Sequence, residues 1–159
     1  MNKKLLFFIL FGSILFVFNE SSATTQLVNI PDANFKAYLL GDSLINTNGD
    51  GEIQVSEASA FTGDMVVNGL EISDLTGIEA FTSLTYLDCA KNYLDSLDVS
   101  QNTALTVLSC YGNLLTGLDV SQNTALTYLN CGWNLLTNID VSSNTALTTL
   151  ICYGNLFNC

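Results

Sequence analysis

An α/β solenoid of 21-residue coils, closed at its amino end by a small helical cap, is the fold this sequence predicts. Three observations carry it. Cys89, Cys110, Cys131 and Cys152 stand 21 residues apart, and so do Leu87, Leu108, Leu129 and Leu150. Leucine and cysteine are separated by one residue in each unit, the period-two spacing of a short strand with one face buried. Residues 28–61 lack this period and place Pro31 and Asp32 ahead of Phe35, Tyr38 and Leu39, a helix opening followed by one apolar side.

Further columns complete the unit. Leu84, Leu105, Leu126 and Leu147 precede the strands; Asn92, Asn113, Asn134 and Asn155 follow the cysteines; Leu94, Leu115, Leu136 and Phe157 come next. Each unit reads L-x-x-L-x-C-x-x-N-x-L. This resembles the leucine-rich repeat, whose signature L-x-x-L-x-L-x-x-N/C-x-L recurs every roughly 20–29 residues. The resemblance is close over residues 84–159 and loose over 63–83. It implies a right-handed coil whose short parallel strands line a concave face.

The held positions have physical reasons. A lone coil has too few apolar side chains to offset the ordering of its own backbone, so coils must bury each other's flanks. Asparagine carries both donors and an acceptor, so at the turn after each strand it can satisfy backbone groups that leave the sheet. Asp98, Asp119 and Asp140 open the return path, where Asp and Ser hydrogen-bond nearby backbone; they are expected to be structural rather than a catalytic or metal row. The cysteine file is expected to be small apolar filler. Neighbouring parallel strands set side chains roughly 4.8 Å apart, whereas a disulfide wants Cβ atoms about 3.8 Å apart.

The drifting positions are where function is expected. The outward strand positions are Tyr86, Asp88 and Ala90; Val107, Ser109 and Tyr111; Tyr128, Asn130 and Gly132; and Thr149, Ile151 and Tyr153. Lys91 and Trp133 sit just beyond the strands and Tyr93 at the next turn. Tyr86, Asp88, Tyr93, Tyr111, Tyr128, Asn130, Trp133 and Tyr153 therefore form the candidate binding face. Tyrosine and tryptophan supply large contact area at low entropy cost and dominate binding hot spots.

The segment from Asn46 to Glu57, NTNGDGEIQVSE, follows the calcium-loop pattern D-x-[DN]-x-[DN]-G-x5-E. Asn46, Asn48 and Asp50 take its first three ligand positions, Gly51 its sharp turn, Glu52 the backbone-carbonyl position and Glu57 the last. Asn46 where aspartate is usual removes one ligand charge, so Ca2+ is expected to bind weakly if this loop is used. The helical segment followed by LEISDLTGIEAFTSLTYLDC resembles the capped start of internalin-like bacterial surface proteins, over residues 30–89. What that resemblance implies is an extracellular recognition module contacting its partner through the concave face; it does not carry over the family's receptors.

Residues 1–23 read as a secretory signal peptide: Lys3 and Lys4, an apolar run from Leu5 to Phe18, then Ser21 and Ala23 as small residues before the cut. The expected parts are thus the leader, a cap at 24–62 with the calcium-like loop, and repeats at 63–159, the last one incomplete. Removing the leader takes away two lysines and Glu20, leaving Lys36 and Lys91 against 14 acids and a net charge of −12. Such a surface repels nucleic acid and anionic membranes. Arginine and histidine are absent, and no nucleophile–base set can be assembled, so no enzyme is expected. The function expected is non-enzymatic binding of a protein or glycan at the cell surface or after secretion. The alternative is a structural fragment that assembles end to end through its uncapped last coil, with Cys159 lacking an evident mate.

Overall fold

The computed structural model describes residues 26–157; the expected leader and Cys159 lie outside them. Five strands of three residues each, β1 (Asp64–Val66), β2 (Tyr86–Asp88), β3 (Val107–Ser109), β4 (Tyr128–Asn130) and β5 (Thr149–Ile151), form one parallel sheet in chain order. Met65, Leu87, Leu108, Leu129 and Leu150 fall in register across it. The first four of these are fully buried. With every strand stacked directly on its predecessor, the molecule is a one-dimensional pile of coils, as the period predicts.

Files of polar side chains tie the pile together. At the end of each strand, Asn113 Nδ2 donates to Cys89 O of the previous coil and Cys110 O of its own, both at 3.0 Å, and Asn113 Oδ1 accepts from Leu94 N at 3.1 Å. Asn92, Asn134 and Asn155 repeat this arrangement. The Cys89, Cys110 and Cys131 carbonyls are thus each held by their own coil's amide and the next one's. The expected role of the asparagine column is confirmed. Before the strands, Thr106, Thr127 and Thr148 each donate both N–H and Oγ–H to the threonine carbonyl one coil back.

The return path holds a second asparagine file, beyond the one expected after the strands. Asn102, Asn123 and Asn144 are buried, and their Nδ2 groups donate to two carbonyls of the preceding coil at 2.8–3.0 Å. Their Oδ1 atoms are buried and unpartnered. Among the described residues the return paths contain turns and one 3-10 turn, η1 (Ile78–Ala80), rather than α-helices. The aspartates behave as expected: Asp98, Asp119 and Asp140 accept from Ser100, Ser121 and Ser142 N–H at 2.8–2.9 Å.

The cap consists of α1 (Ala33–Gly41) and α2 (Val55–Ala60). Asp32 caps α1 by accepting from Asn34 N and Phe35 N, and its second oxygen accepts from Ser73 N and Oγ. One carboxylate thereby starts the helix and ties it to the first coil. Phe35, Leu39, Ile45 and Ile53 are fully buried, and Phe61 meets Phe81 edge-on at 6.1 Å. Tyr38 Oη accepts from Val66 N at 3.2 Å, so the cap covers part of the open edge of β1.

Candidate functional site: the concave face and its ridge

Strand register places Tyr86, Val107, Tyr128 and Thr149 side by side in one outward row, and Asp88, Ser109, Asn130 and Ile151 in the next. Asp64 and Val66 extend these rows onto β1. Tyr86, Tyr128, Asp88 and Asn130 are half-buried. Asp88 accepts from Ala90 N and Asn68 Nδ2, and Asn130 Oδ1 accepts from Gly132 N. Burial pushes the Tyr86 phenol above its ordinary pKa, and the neighbouring Asp88 and Asp64 carboxylates push the same way. Side chains on this face are fixed by the sheet rather than by a mobile loop.

Tyr111, Trp133 and Tyr153 form a ridge where the strands end. Lys91, Gly112, Trp133 and Gly154, one per coil, share a left-handed backbone with φ of 53°, 68°, 51° and 69°. Large and small residues interlock here. A Cβ on Gly154 would lie 3.1 Å from Trp133 Cγ and Cδ2, so the indole rests on that glycine. A Cβ on Gly132 would come within 3.4 Å of Tyr111 Cδ2 and 3.2 Å of Tyr153 O, so Tyr111 lies across Gly132. Trp133 is 58 % exposed and Tyr153 61 %.

Tyr93 sits elsewhere than the other candidates. It heads a column with Leu114, Leu135 and Leu156, one residue past the asparagine file, and all four are exposed. This leucine stripe escapes the sequence reading, although the doubled leucine of N-L-L-T signals it: one leucine turns in, the other out. Tyr38 is a second omission, since its helix gave no sign of reaching the sheet.

The loop from Asn46 to Glu57 is closed by hydrogen bonds. Glu57 accepts from Thr47 N, Thr47 Oγ1, Asn48 N and Gln54 N. Burial raises its pKa, but these donors outweigh burial and leave it lowered. Asp50 accepts from Glu52 N, Asn48 Nδ2 and Gln54 Nε2. Asn46 Nδ2 donates to Asp50 O at 2.9 Å, while its Oδ1 is buried without a partner. Among the described residues, no three His, Cys, Asp or Glu side chains converge as a metal centre. All the candidate donors are oxygens, the kind a hard cation takes, but Glu57 would have to release amides to become a ligand.

Cys89, Cys110 and Cys131 are buried free thiols. Burial pushes Cys89 up to about 12, with the Asp88 carboxylate adding to it, and Cys131 up to about 11. Burial likewise raises Cys110 well above its ordinary value, and the adjacent thiols add to it. At neutral pH these are inert neutral groups, the filler their spacing predicts. On the return side, a groove of about 490 Å³ is lined by Asp74, Glu79, Asp95 and Asp98. Asp98 is already turned toward Ser100 N–H.

No protein-family model and no curated protein matches the chain. Solved structures do. The functional domain of InlJ from Listeria monocytogenes, a structure that includes a cysteine ladder, shares 42 % identity with a TM-score of 0.72 over 82 % of this chain. An internalin, InlF, from the same species shares 19 % identity with a TM-score of 0.66 over 87 % of this chain, a likeness of fold. The chain spans 29 % of the InlJ chain and 48 % of the InlF chain. With coils of 21 residues stacked through asparagine and cysteine files, this chain is an internalin-like leucine-rich repeat protein.

Proposed function

We propose that the chain is a non-enzymatic recognition module, exported to the cell surface or beyond, which binds a protein or glycan through its concave aromatic face. One observation carries the reading. The inward leucine and cysteine positions and both asparagine files recur from β2 to β4, whereas the outward rows change from Tyr86 to Val107 to Tyr128 and from Asp88 to Ser109 to Asn130. A scaffold that needs none of those identities leaves them to a partner. Peptide and glycan arrays probed with the purified chain test this. Tyr86→Ala with Tyr128→Ala is expected to lose the wild-type hits while keeping the wild-type melting temperature; hits that persist place the contact elsewhere.

A second reading is association through the far flank of β5. Leu150 is 39 % exposed, whereas Leu87, Leu108 and Leu129 are fully buried. In a longer solenoid this flank is where the next coil stacks; between copies it would join them end to end. Light scattering across a concentration series decides, since a constant monomer mass excludes assembly.

Calcium at residues 46–57 is a separate proposal, favoured by the orphaned Asn46 Oδ1. Asn46, Asn48, Asp50 and Glu57 side chains and the Glu52 carbonyl would hold Ca2+ weakly, Glu57 exchanging its amides for the ion. Millimolar Ca2+ is expected to raise the melting temperature of wild type but not of Asn46→Ala. An unmoved wild-type melt ends the proposal.

A further inference from the structure

Trp133 occupies a backbone position that suits it poorly. Its left-handed φ of 51° is one that Gly112 and Gly154 meet freely in the coils on either side, and that a bulky side chain strongly disfavours. Burial gives little in return, because the residue is 58 % exposed. The indole lies against Gly154, with ring carbons 3.1–3.2 Å from where a Cβ would stand. Lys91 lies over Gly112 in the same manner, 3.7 Å from that Cβ position, but with a flexible stem in place of a rigid ring. A strained, exposed, rigidly seated aromatic is the kind of feature that folding does not require and binding does.

Charge indicates what it binds. The sequence has 15 acids and four basic residues, and the acids of the concave rows, Asp88 and Asp64, stand two and three strands from the coil that carries Trp133. Among the described residues Lys36 is paired with Glu52 at 2.7 Å. Tryptophan is the strongest aromatic partner for a cation, and a guanidinium, being planar and weakly hydrated, stacks on it better than an ammonium does. Resting on the recognition reading above, we propose that Trp133 is a stacking platform for an arginine side chain and that the partner is a basic polypeptide lying along the ridge. A neutral sugar ring would use the stacking but not the charge.

The chain contains one tryptophan, so its fluorescence reports this site directly. The full chain is titrated with an eight-residue arginine peptide, the lysine peptide of equal charge, and maltooctaose. A saturable change with the arginine peptide, about tenfold tighter than with lysine, is expected. In calorimetry Trp133→Gly should lose about tenfold in affinity with its melting temperature unchanged or raised, and Trp133→Phe should lose less. Equal binding of both peptides, unaffected by Trp133→Gly, means surface charge alone and overturns the proposal. A response only to maltooctaose overturns the partner class while leaving the recognition reading standing. If Trp133→Gly and Trp133→Asn both melt lower, the residue is structural and the proposal fails. Array hits that survive the Tyr86 and Tyr128 substitutions remove the concave-face reading without touching the tryptophan result.

Discussion

Each coil turns twice, and the two turns are built on different terms. After the strand, the asparagine amide supports the cysteine carbonyls together with its neighbour's amide, and its oxygen is the partner of Leu94 N. On the return path, Asn123 donates to Val99 O and Asn102 O, which already accept from Asn102 N and Leu105 N. Its own Oδ1 has no donor. The strand-side file therefore completes the backbone, while the return-side file reinforces bonds that exist without it. The same residue type, repeated at the same period, stabilises by different amounts.

Alkali attacks only the strand side, with the largest expected effect. A thiol whose folded pKa is raised is stabilising below its unfolded value and loses that contribution as pH climbs toward the folded one. With Cys89 at about 12 and Cys131 at about 11 against an ordinary 9.0, stability should fall from about pH 9 upward. Each thiol contributes a slope of about 1.4 kcal/mol per pH unit. Urea unfolding at several alkaline pH values should show it, and Cys→Ala at positions 89, 110 and 131 together should flatten the slope.

Single asparagine truncations sharpen the contrast. Asn113→Ala removes three hydrogen bonds and strands Leu94 N, costing about 3 kcal/mol at about 1 each. Asn123→Ala removes two bonds from carbonyls that keep other donors, and also removes an unpaired acceptor, costing about 1 kcal/mol. Equal losses in parallel denaturation curves would mean that the two asparagine files stabilise alike.

Acid touches the return side, and least of all. Hydrogen bonds from Ser100, Ser121 and Ser142 hold Asp98, Asp119 and Asp140 below the usual carboxylate range. A lowered carboxylate stabilises above its unfolded pKa and ceases to do so as pH drops through its folded one. The melting temperature should therefore decline only below about pH 4, and Asp119→Asn, at an exposed position, should shift it less than either asparagine change.

How far the sequence foretold this depends on what a letter reveals. Leu87, Cys89 and Asn92 were legible because spacing alone fixes a strand and the turn that ends it. Asn102, Asn123 and Asn144 were not, because a polar letter in a serine- and threonine-rich stretch reads as surface, although all three are buried. The signal was available: this asparagine never changes while Gln101, Gln122 and Ser143 beside it do. The aromatic residues stand out in the sequence, but the partition that places Tyr93 with a leucine stripe and Trp133 on a ridge does not. That partition depends on backbone φ, which Gly112 and Gly154 hinted at by sharing its column.

The interlock of large and small residues at the ridge has a consequence for how such an array can lengthen. Ala90-Lys91, Tyr111-Gly112, Gly132-Trp133 and Tyr153-Gly154 come in alternation, so bulk in one coil meets a gap in the next. The backbone repeats singly, but its outer edge repeats in twos. Duplicating the coil of Tyr111 would set tyrosine against tyrosine where Gly132 now makes room. Copies of this gene segment would be tolerated in even numbers and penalised in odd ones.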